Sequence, residues 1–228
     1  NSLVSGLIAK GHIVDVVAPK KSKLLDVGKK ASLHFVEGEE QKSWQHQDYY
    51  SSVSIPDNSL LSGMIEKAID IGKKADIILN FSYDWLPIWM TLNINIPIAH
   101  IISMGSESFV ISNLISKVYS KFPNNFAFHS KIQASDYPFI ENPIVIGNGF
   151  NLSNYIFQDC KNGPLGWVGR VAPEKGLEDA AYVANALGEK LNVWGIVQDE
   201  SYALKIEKST DAKAASWKPE RISFNLPG

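Results

Sequence analysis

The sequence predicts an α/β protein built on doubly wound, mostly parallel sheets. Short apolar runs of strand length, such as residues 76–80 and 97–102, alternate with segments whose apolar residues recur at helical spacing. Parallel strands are buried on both faces, so they appear in a sequence as nearly continuous apolar runs. The alternation therefore favours parallel sheets that are covered by helices on both faces.

The predicted elements follow one another in a regular order. Strands are predicted at residues 12–18, 32–36, 76–80, 97–102, 125–128, 144–146, 164–168, 191–196 and 222–224. Helices are predicted at residues 3–8, 60–74, 85–92, 109–119, 131–140, 177–187 and 201–208. The longer helices are assigned because their apolar residues fall three or four positions apart, and the strands because short apolar runs lie between polar or glycine-rich connections.

Polar caps and prolines justify several of the helix boundaries. Asp57 and Ser59 are candidate N-caps for the helix that follows them, and Ser130 is a candidate N-cap further along the chain. Pro87 is tolerated because it lies in the first turn of its helix. Pro138 must end or bend the helix predicted around it, because proline has no backbone N–H.

Three polar segments interrupt this pattern. Residues 20–30 contain five lysines and are interpreted as a solvated loop, with an electrostatic patch for an anionic membrane surface or acceptor as the alternative. Residues 37–58 are interpreted as an irregular surface segment that lines a cleft. Residues 151–163 are interpreted as a linker, which divides the chain into domains at residues 1–153 and 154–228.

Both predicted domains are expected to be incomplete. The first helix leads directly into the strand at residues 12–18, so a first strand and its turn are expected before Asn1. The second domain has too few predicted elements for a complete doubly wound fold, so further elements are expected after Gly228.

Composition excludes several classes of protein. With 22 basic and 24 acidic residues the formal net charge is −2, which gives no indication of nucleic-acid binding. No apolar run reaches about 18 residues, and no signal peptide is expected, so the predicted location is cytoplasmic, with peripheral membrane contact as an addition. One cysteine cannot form an intramolecular disulfide. No metal or other cofactor is expected, because the histidines and the cysteine show no ligand spacing with one another.

The strongest candidate site is a turn with two cations between the strand at residues 164–168 and the helix at residues 177–187. Arg170 can hold two phosphate oxygens through its planar fork, and Lys175 can add a mobile charge. Gly176 lies near the helix start, where free backbone N–H groups favour an anion. The alternative is that these are solvated loop cations neutralised by Glu174.

The chain resembles the retaining glycosyltransferases of family 4, which have the GT-B fold of two facing Rossmann-like domains. Residues 8–18 resemble that family's first helix and second strand, residues 97–100 its strand ending in histidine, and residues 145–151 the segment that closes its first domain. The segment Gly169-Arg170-Val171-Ala172-Pro173-Glu174-Lys175-Gly176 resembles its donor-phosphate motif.

The resemblance implies roles for particular residues. Gly169, Arg170, Lys175 and Gly176 would bind the diphosphate of a nucleotide sugar. His100 would face the cleft, touch the donor sugar and serve as the catalytic residue. The alternative for His100 is a hydrogen-bonded core histidine at a strand end.

The implied activity is transfer of a glycosyl group, with retention, from a nucleoside diphosphate sugar to a saccharide, lipid or small-molecule acceptor. UDP is the expected carrier, polysaccharide biosynthesis the expected context, and the donor and acceptor the expected partners. Two other functions remain open, a non-catalytic nucleotide-sugar binding protein and a nucleotide-sugar epimerase on the same fold.

Three further residues are candidates for the site. Tyr83 and Asp84 follow the strand at residues 76–80, where an acceptor sugar could stack; the alternative is that they cap a helix and fill the core. Gly195 ends a strand of the second domain, where its loop could approach the nucleotide; the alternative is an ordinary turn.

The chain also departs from the family pattern. It has no glycine-rich loop after a first strand, and it lacks the spaced pair of glutamates that binds the donor sugar and ribose in the family. Gly147 takes the place of the proline that is usual in the segment closing the first domain. Three explanations compete for these differences: the chain is truncated, it is part of a longer protein, or it is a degenerate homologue.

Overall fold

The computed structural model describes residues 2–22, 31–44, 47–150, 152 and 163–209. The chain divides into two compact units, Asn1–Leu152 and Ser153–Gly228. The predicted domain boundary after residue 153, most of the predicted linker and the predicted strand at residues 222–224 lie outside the described residues. So do Cys160 and most of the lysine-rich connection.

The described part of the chain is an α/β structure, as the sequence predicts. The strands are Asp15–Pro19 (β1), Ser32–Val36 (β2), Ile78–Asn80 (β3), Ile98–Ile102 (β4), Phe126–Phe128 (β5), Ile144–Val145 (β6), Leu165–Val168 (β7) and Leu191–Trp194 (β8). The helices are Ser2–Ala9 (α1), Leu60–Gly72 (α2), Trp85–Met90 (α3), Phe109–Tyr119 (α4), Lys131–Ala134 (α5), Leu177–Leu187 (α6) and Glu200–Ser209 (α7).

The described strands pair in parallel and form three sheets. In the first unit, β1 pairs with β2, and a four-stranded sheet has the order β3-β4-β5-β6. In the second unit, β7 pairs with β8. Parallel pairing brings the carboxyl ends of neighbouring strands to one edge of their sheet, which is where open α/β sheets bind ligands.

The main core of the first unit lies around β4 and β5. Alternate residues of β4 are buried, so Ile98, His100 and Ile102 lie on one face of the strand. Phe126 and Phe128 of β5 are buried beside them. Helices α3 and α4 contribute further apolar side chains to the same core, among them Ile88, Ile111, Leu114, Ile115 and Val118.

Helix α2 contacts both sheets of the first unit at close range. It is capped by Ser59, whose Oγ accepts a hydrogen bond from the backbone N–H of Ser62 at 3.2 Å. A Cβ placed on Gly63 would lie 2.9 Å from Cγ1 of Val36 in β2, and a Cβ on Gly72 would lie 2.9 Å from Cδ1 of Ile78 in β3. Both glycines therefore allow a closer approach than a side chain would.

Helix α5 is shorter than predicted. Ser130 is its N-cap, as expected, with Oγ accepting from the backbone N–H of Gln133 at 3.1 Å. The prediction that the helix continues to residue 140 is wrong, because it ends at Ala134 and the chain turns. Pro138 has no N–H to donate to the carbonyl of Ala134, and the hydroxyl of Ser135 bonds to the carbonyl of Ile132 at 2.6 Å.

The second unit packs two helices against the pair β7–β8. Its core is formed by alanines, branched aliphatic side chains and one tyrosine, namely Val171, Leu177, Ala181, Ala184, Leu191, Val193, Tyr202, Ala203 and Ile206. Leu177 is the first residue of α6 and is completely buried. This packing fixes the start of α6 relative to the end of β7, and the chain between them is the turn with two cations.

Candidate functional site

The turn with two cations lies between β7 and α6, where the sequence places it. After β7 ends at Val168, the chain passes through Gly169 and Arg170 and forms a single 3-10 turn at Pro173–Lys175. Gly176 follows with φ 63° and ψ 37°, and α6 begins at the next residue. The left-handed conformation favours glycine at this position, because other residues adopt it at a cost.

The turn after β7 is held against the turn after β8 by a glycine contact. The backbone N–H of Gly169 donates to the carbonyl of Trp194 at 3.0 Å, and that of Val171 donates to the carbonyl of Ile196 at 2.9 Å. A Cβ on Gly195 would lie 1.7 Å from the carbonyl oxygen of Gly169. Gly195 is thus required by a close approach of two backbones, and its contact with a nucleotide stays a prediction.

Two neighbours hold the Arg170 guanidinium. Its Nη1 donates to Oε1 of Gln198, and its Nη2 lies 3.3 Å from Oε1 of Glu174. Gln198 follows β8 and Glu174 lies in the 3-10 turn, so the arginine joins the ends of both strands. The Arg170 side chain is still 39% exposed, which leaves part of its fork open to a solvent-borne anion.

Lys175 differs from Arg170 in its surroundings. Its side chain is exposed, and among the residues that the structure describes no hydrogen bond or ion pair engages its ammonium. The first turn of α6 carries two acidic residues, Glu178 and Asp179, and Tyr202 donates its hydroxyl proton to the Glu178 carboxylate. An anion at the start of α6 would form an ion pair with Lys175 and would compete with the Glu174 carboxylate for the Arg170 guanidinium.

His100 is completely buried in the first unit. Its Nε2 lies 2.7 Å from Oγ1 of Thr91, and its Nδ1 lies 3.0 Å from Nδ2 of Asn80. The imidazole also stacks on Phe126, with ring centroids 5.0 Å apart and planes inclined by 25°. Both ring nitrogens therefore have partners inside the unit.

The Asn80 amide determines which imidazole nitrogen carries the proton. Its Oδ1 accepts from the backbone N–H of Ser82 at 3.1 Å, and its Nδ2 donates to the carbonyl of Ser82 at 2.9 Å. Because Nδ2 is a donor, Nδ1 of His100 must accept, and the proton lies on Nε2 and is donated to Thr91. Burial lowers the pKa of His100 to about 4, so the ring is neutral at physiological pH.

These contacts match the second interpretation of His100, a hydrogen-bonded core histidine. Its contact with a donor sugar stays a prediction. Sequence reasoning did not single out Thr91 or Asn80 as its partners. A signal for Asn80 was available, because Asn80 ends β3 and lies opposite His100 in the parallel register of β3 and β4.

Asp84 is a buried helix cap. Its Oδ1 accepts from the backbone N–H of Leu86 at 3.4 Å, and its Oδ2 accepts from Nε1 of Trp44 at 3.1 Å. Burial raises the pKa of the Asp84 carboxyl above its usual value. The contacts of Tyr83 and Asp84 thus match the alternative interpretation, in which these residues cap a helix and fill the core. Their contact with an acceptor stays a prediction.

We expect Asp84→Asn to lower the free energy of unfolding of the first unit by about 1–2 kcal/mol. An amide has one acceptor oxygen, so it cannot accept from Leu86 and Trp44 on separate oxygens. Urea unfolding followed by tryptophan fluorescence measures the change. Asp57→Asn is the matched control: Asp57 is exposed and the observed cap of α2 is Ser59, so a change within about 0.5 kcal/mol is expected there. Equal losses for both variants would contradict the assignment.

The Tyr83 hydroxyl is buried and, within the described residues, has no hydrogen-bond partner. Burial raises its pKa, as it raises the pKa of Tyr137. Tyr137 differs because its hydroxyl donates toward the carbonyls of Met104 and Gly105, at 3.1 and 2.8 Å. Tyr83 is therefore a core residue with one unsatisfied polar atom.

Two residues with clear structural roles were not identified from the sequence. Trp44 lies in the segment interpreted as irregular surface, yet its side chain is 5% exposed and it bonds Asp84. Gln198 orients Arg170 from the loop after β8. The only advance signal for Trp44 was a large apolar ring in an otherwise polar segment, and for Gln198 its position just after a predicted strand.

Among the described residues, no group of three or more histidine, cysteine, aspartate or glutamate side chains is placed to hold a metal ion. None of the helices described combines the length and apolar character needed to cross a bilayer. No protein family model matches the chain, and no curated protein matches it significantly.

Proposed function

We propose that this chain binds the diphosphate of a nucleoside diphosphate sugar at the turn with two cations and belongs to a retaining glycosyltransferase of the GT-B type. The observation that carries the proposal is the setting of Arg170. Its guanidinium lies at the carboxyl edge of a parallel strand pair, oriented by Gln198, directly ahead of the start of α6. This edge is where α/β sheets bind ligands, and an arginine fork matches paired phosphate oxygens.

The proposed chemistry places an electrostatic demand on this turn. Cleavage of the bond between the anomeric carbon and the diphosphate leaves a cationic sugar and an extra negative charge on the departing diphosphate. The acceptor hydroxyl forms the new bond to the anomeric carbon and passes its proton to an oxygen of the departing diphosphate. Arg170, Lys175 and the N–H groups at the start of α6 would stabilise the departing diphosphate as its charge develops.

The arrangement of Arg170 also sets how an anion would bind. Glu174 lies 3.3 Å from the guanidinium, so a diphosphate must displace that carboxylate or share the cation with it. The hydrogen bond that Arg170 donates to Gln198 need not break, because it uses Nη1 and the ion pair uses Nη2. Gln198 would then keep the fork in position while its other side changes partner.

The test is binding of UDP and UDP-glucose to the full chain by titration calorimetry. We expect Arg170→Ala to weaken binding about 10- to 100-fold, the loss of one charge-assisted contact, and Arg170→Lys to restore only part of it. Lys190→Ala removes an exposed cation elsewhere in the second unit and serves as the matched control. Binding that is unchanged in Arg170→Ala, or weakened equally in Lys190→Ala, would overturn the proposal.

A second candidate function is binding of a nucleotide sugar without catalysis. It is favoured by the state of His100, whose two ring nitrogens are occupied by Thr91 and Asn80 inside a buried core. Donor binding with no hydrolysis or transfer, in the presence of candidate acceptors, would support this function over the enzyme. Conversion of the donor into an epimeric sugar nucleotide without acceptor would instead identify an epimerase.

A further inference from the structure

Three aromatic rings form an exposed corner on the first unit, here termed the aromatic corner: Tyr49, Tyr50 and Phe109. The rings of Tyr49 and Tyr50 are 5.0 Å apart between centroids and inclined by 81°, and Tyr50 lies 5.4 Å from Phe109. Tyr50 is 76% exposed, and the other two rings are also exposed. Tyr50 thus keeps most of its area in contact with water, Tyr49 and Phe109 keep about two fifths of theirs, and all three lie outside the described core.

The aromatic corner is attached to the ligand-binding edge of the four-stranded sheet. Phe109 is the first residue of α4, which follows the loop after β4, and Ser108 caps the helix. The backbone N–H of Phe109 donates to the carbonyl of Tyr49 at 2.9 Å. This bond joins the segment around Tyr49 to the loop at the carboxyl end of β4, so the rings lie at the edge where parallel sheets bind ligands.

The polar residues that flank the rings along the chain are neutral or acidic. Asp48 and Glu107, next to the rings in the chain, have exposed side chains, and the hydroxyl of Ser106 bonds to that of Ser112 at 2.6 Å. Residues 47–58 and 99–116 contain no lysine or arginine. Such a surface disfavours phosphate-bearing partners, because both anionic lipids and nucleic acids are recognised through cations.

We propose that the aromatic corner binds an uncharged saccharide, with one pyranose ring stacked on Tyr50. The C–H face of a pyranose is apolar and weakly positive, and it complements the negative face of an aromatic ring. The hydroxyl groups at the rim of the sugar would donate hydrogen bonds to the carboxylates of Asp48 and Glu107, which are acceptors only. Small-molecule sites are usually lined by apolar and aromatic side chains with a few polar groups beside them.

The proposed function enters this inference at one point only, in that the bound saccharide would serve as the glycosyl acceptor. Binding itself needs no donor. It can therefore be measured separately from the turn with two cations, and the two proposals can fail independently.

The experiment is saturation-transfer NMR of maltotriose and cellotriose, two uncharged trisaccharides of different linkage, with the full chain and no nucleotide present. We expect the axial C–H protons of one ring to receive the strongest transfer. Tyr50→Ala should weaken the affinity about tenfold, which corresponds to about 1.4 kcal/mol, whereas Tyr50→Phe should retain it because the ring remains. Because Tyr50 is strongly exposed, we expect both variants to remain folded, and circular dichroism verifies the fold.

Tyr182→Ala is the matched control, because Tyr182 is 75% exposed on a helix of the second unit. Unchanged saccharide binding in this variant supports the proposal, and an equal loss there overturns it. Absence of transfer to both trisaccharides also overturns it, as does binding of anionic phospholipid vesicles or of single-stranded DNA in place of the sugars. Saccharide binding that survives in Arg170→Ala while UDP binding is lost supports both assignments.

Discussion

Gly195→Ala is expected to lower the free energy of unfolding of the second unit by about 3 kcal/mol or more, the upper end of the cost of overpacking. The added methyl would lie 1.7 Å from the carbonyl oxygen of Gly169, so the two turns must separate. That separation strains the hydrogen bonds from Gly169 to Trp194 and from Val171 to Ile196. The obstacle is backbone, which cannot move aside as a flexible side chain can.

Hydrogen exchange of peptides covering β7 and β8, combined with urea unfolding, measures this effect. Gly163→Ala is the matched control in the same unit, because a Cβ there meets nothing within 4 Å and a change within about 0.5 kcal/mol is expected. Faster exchange in β7 and β8 of Gly195→Ala, with exchange in β4 and β5 unaltered, is the expected pattern. Equal stability of the two variants would show that the turns are not in contact.

The first unit is expected to lose about 3 kcal/mol of stability from His100 as the pH falls from 6.5 to 4. Burial lowers the pKa of His100 to about 4, against 6.5 for an unperturbed histidine. Between these values the unfolded chain binds a proton that the folded chain does not, so acid favours unfolding. The stability that the neutral His100 contributes is fully present above about pH 6.5, and it is lost by about pH 4.

His100→Gln isolates this contribution, because glutamine can form hydrogen bonds and does not titrate. The free energy of unfolding of each protein is measured by urea denaturation at several pH values. The difference between wild type and variant should change by about 3 kcal/mol across the interval, and subtraction removes carboxyl groups common to both. A difference that stays constant with pH would show that His100 is not buried as a neutral ring.

Local signals in the sequence predicted much of the secondary structure. The bounds predicted for residues 32–36, 109–119 and 177–187 are confirmed. Helical period and N-caps such as Ser59 act within one or two turns of chain, so they can be found without knowledge of the fold. Helix α5 shows the limit of that approach, since its end depends on how Ser135 and Pro138 compete with the helical hydrogen bonds.

Contacts between distant segments could not be predicted in the same way. The burial of Trp44 depends on Asp84, forty positions away, and the protonation of His100 depends on Asn80 in a neighbouring strand. For the candidate site, the position of the turn at Gly169–Gly176 followed from local pattern. The orientation of Arg170 did not follow from it, because Gln198 reaches Arg170 from the loop after β8.

The two glycines of α2 link the local unfolding of β1 and β2 to that of the helix. Gly63 and Gly72 are nine positions apart, which at about 100° per residue places them on opposite sides of the helix. One side of α2 packs on β2 and the opposite side packs on β3, so the helix contacts both sheets. A two-stranded sheet has little stability alone. We therefore expect β1 and β2 to exchange their amide protons together with α2 as one cooperative block.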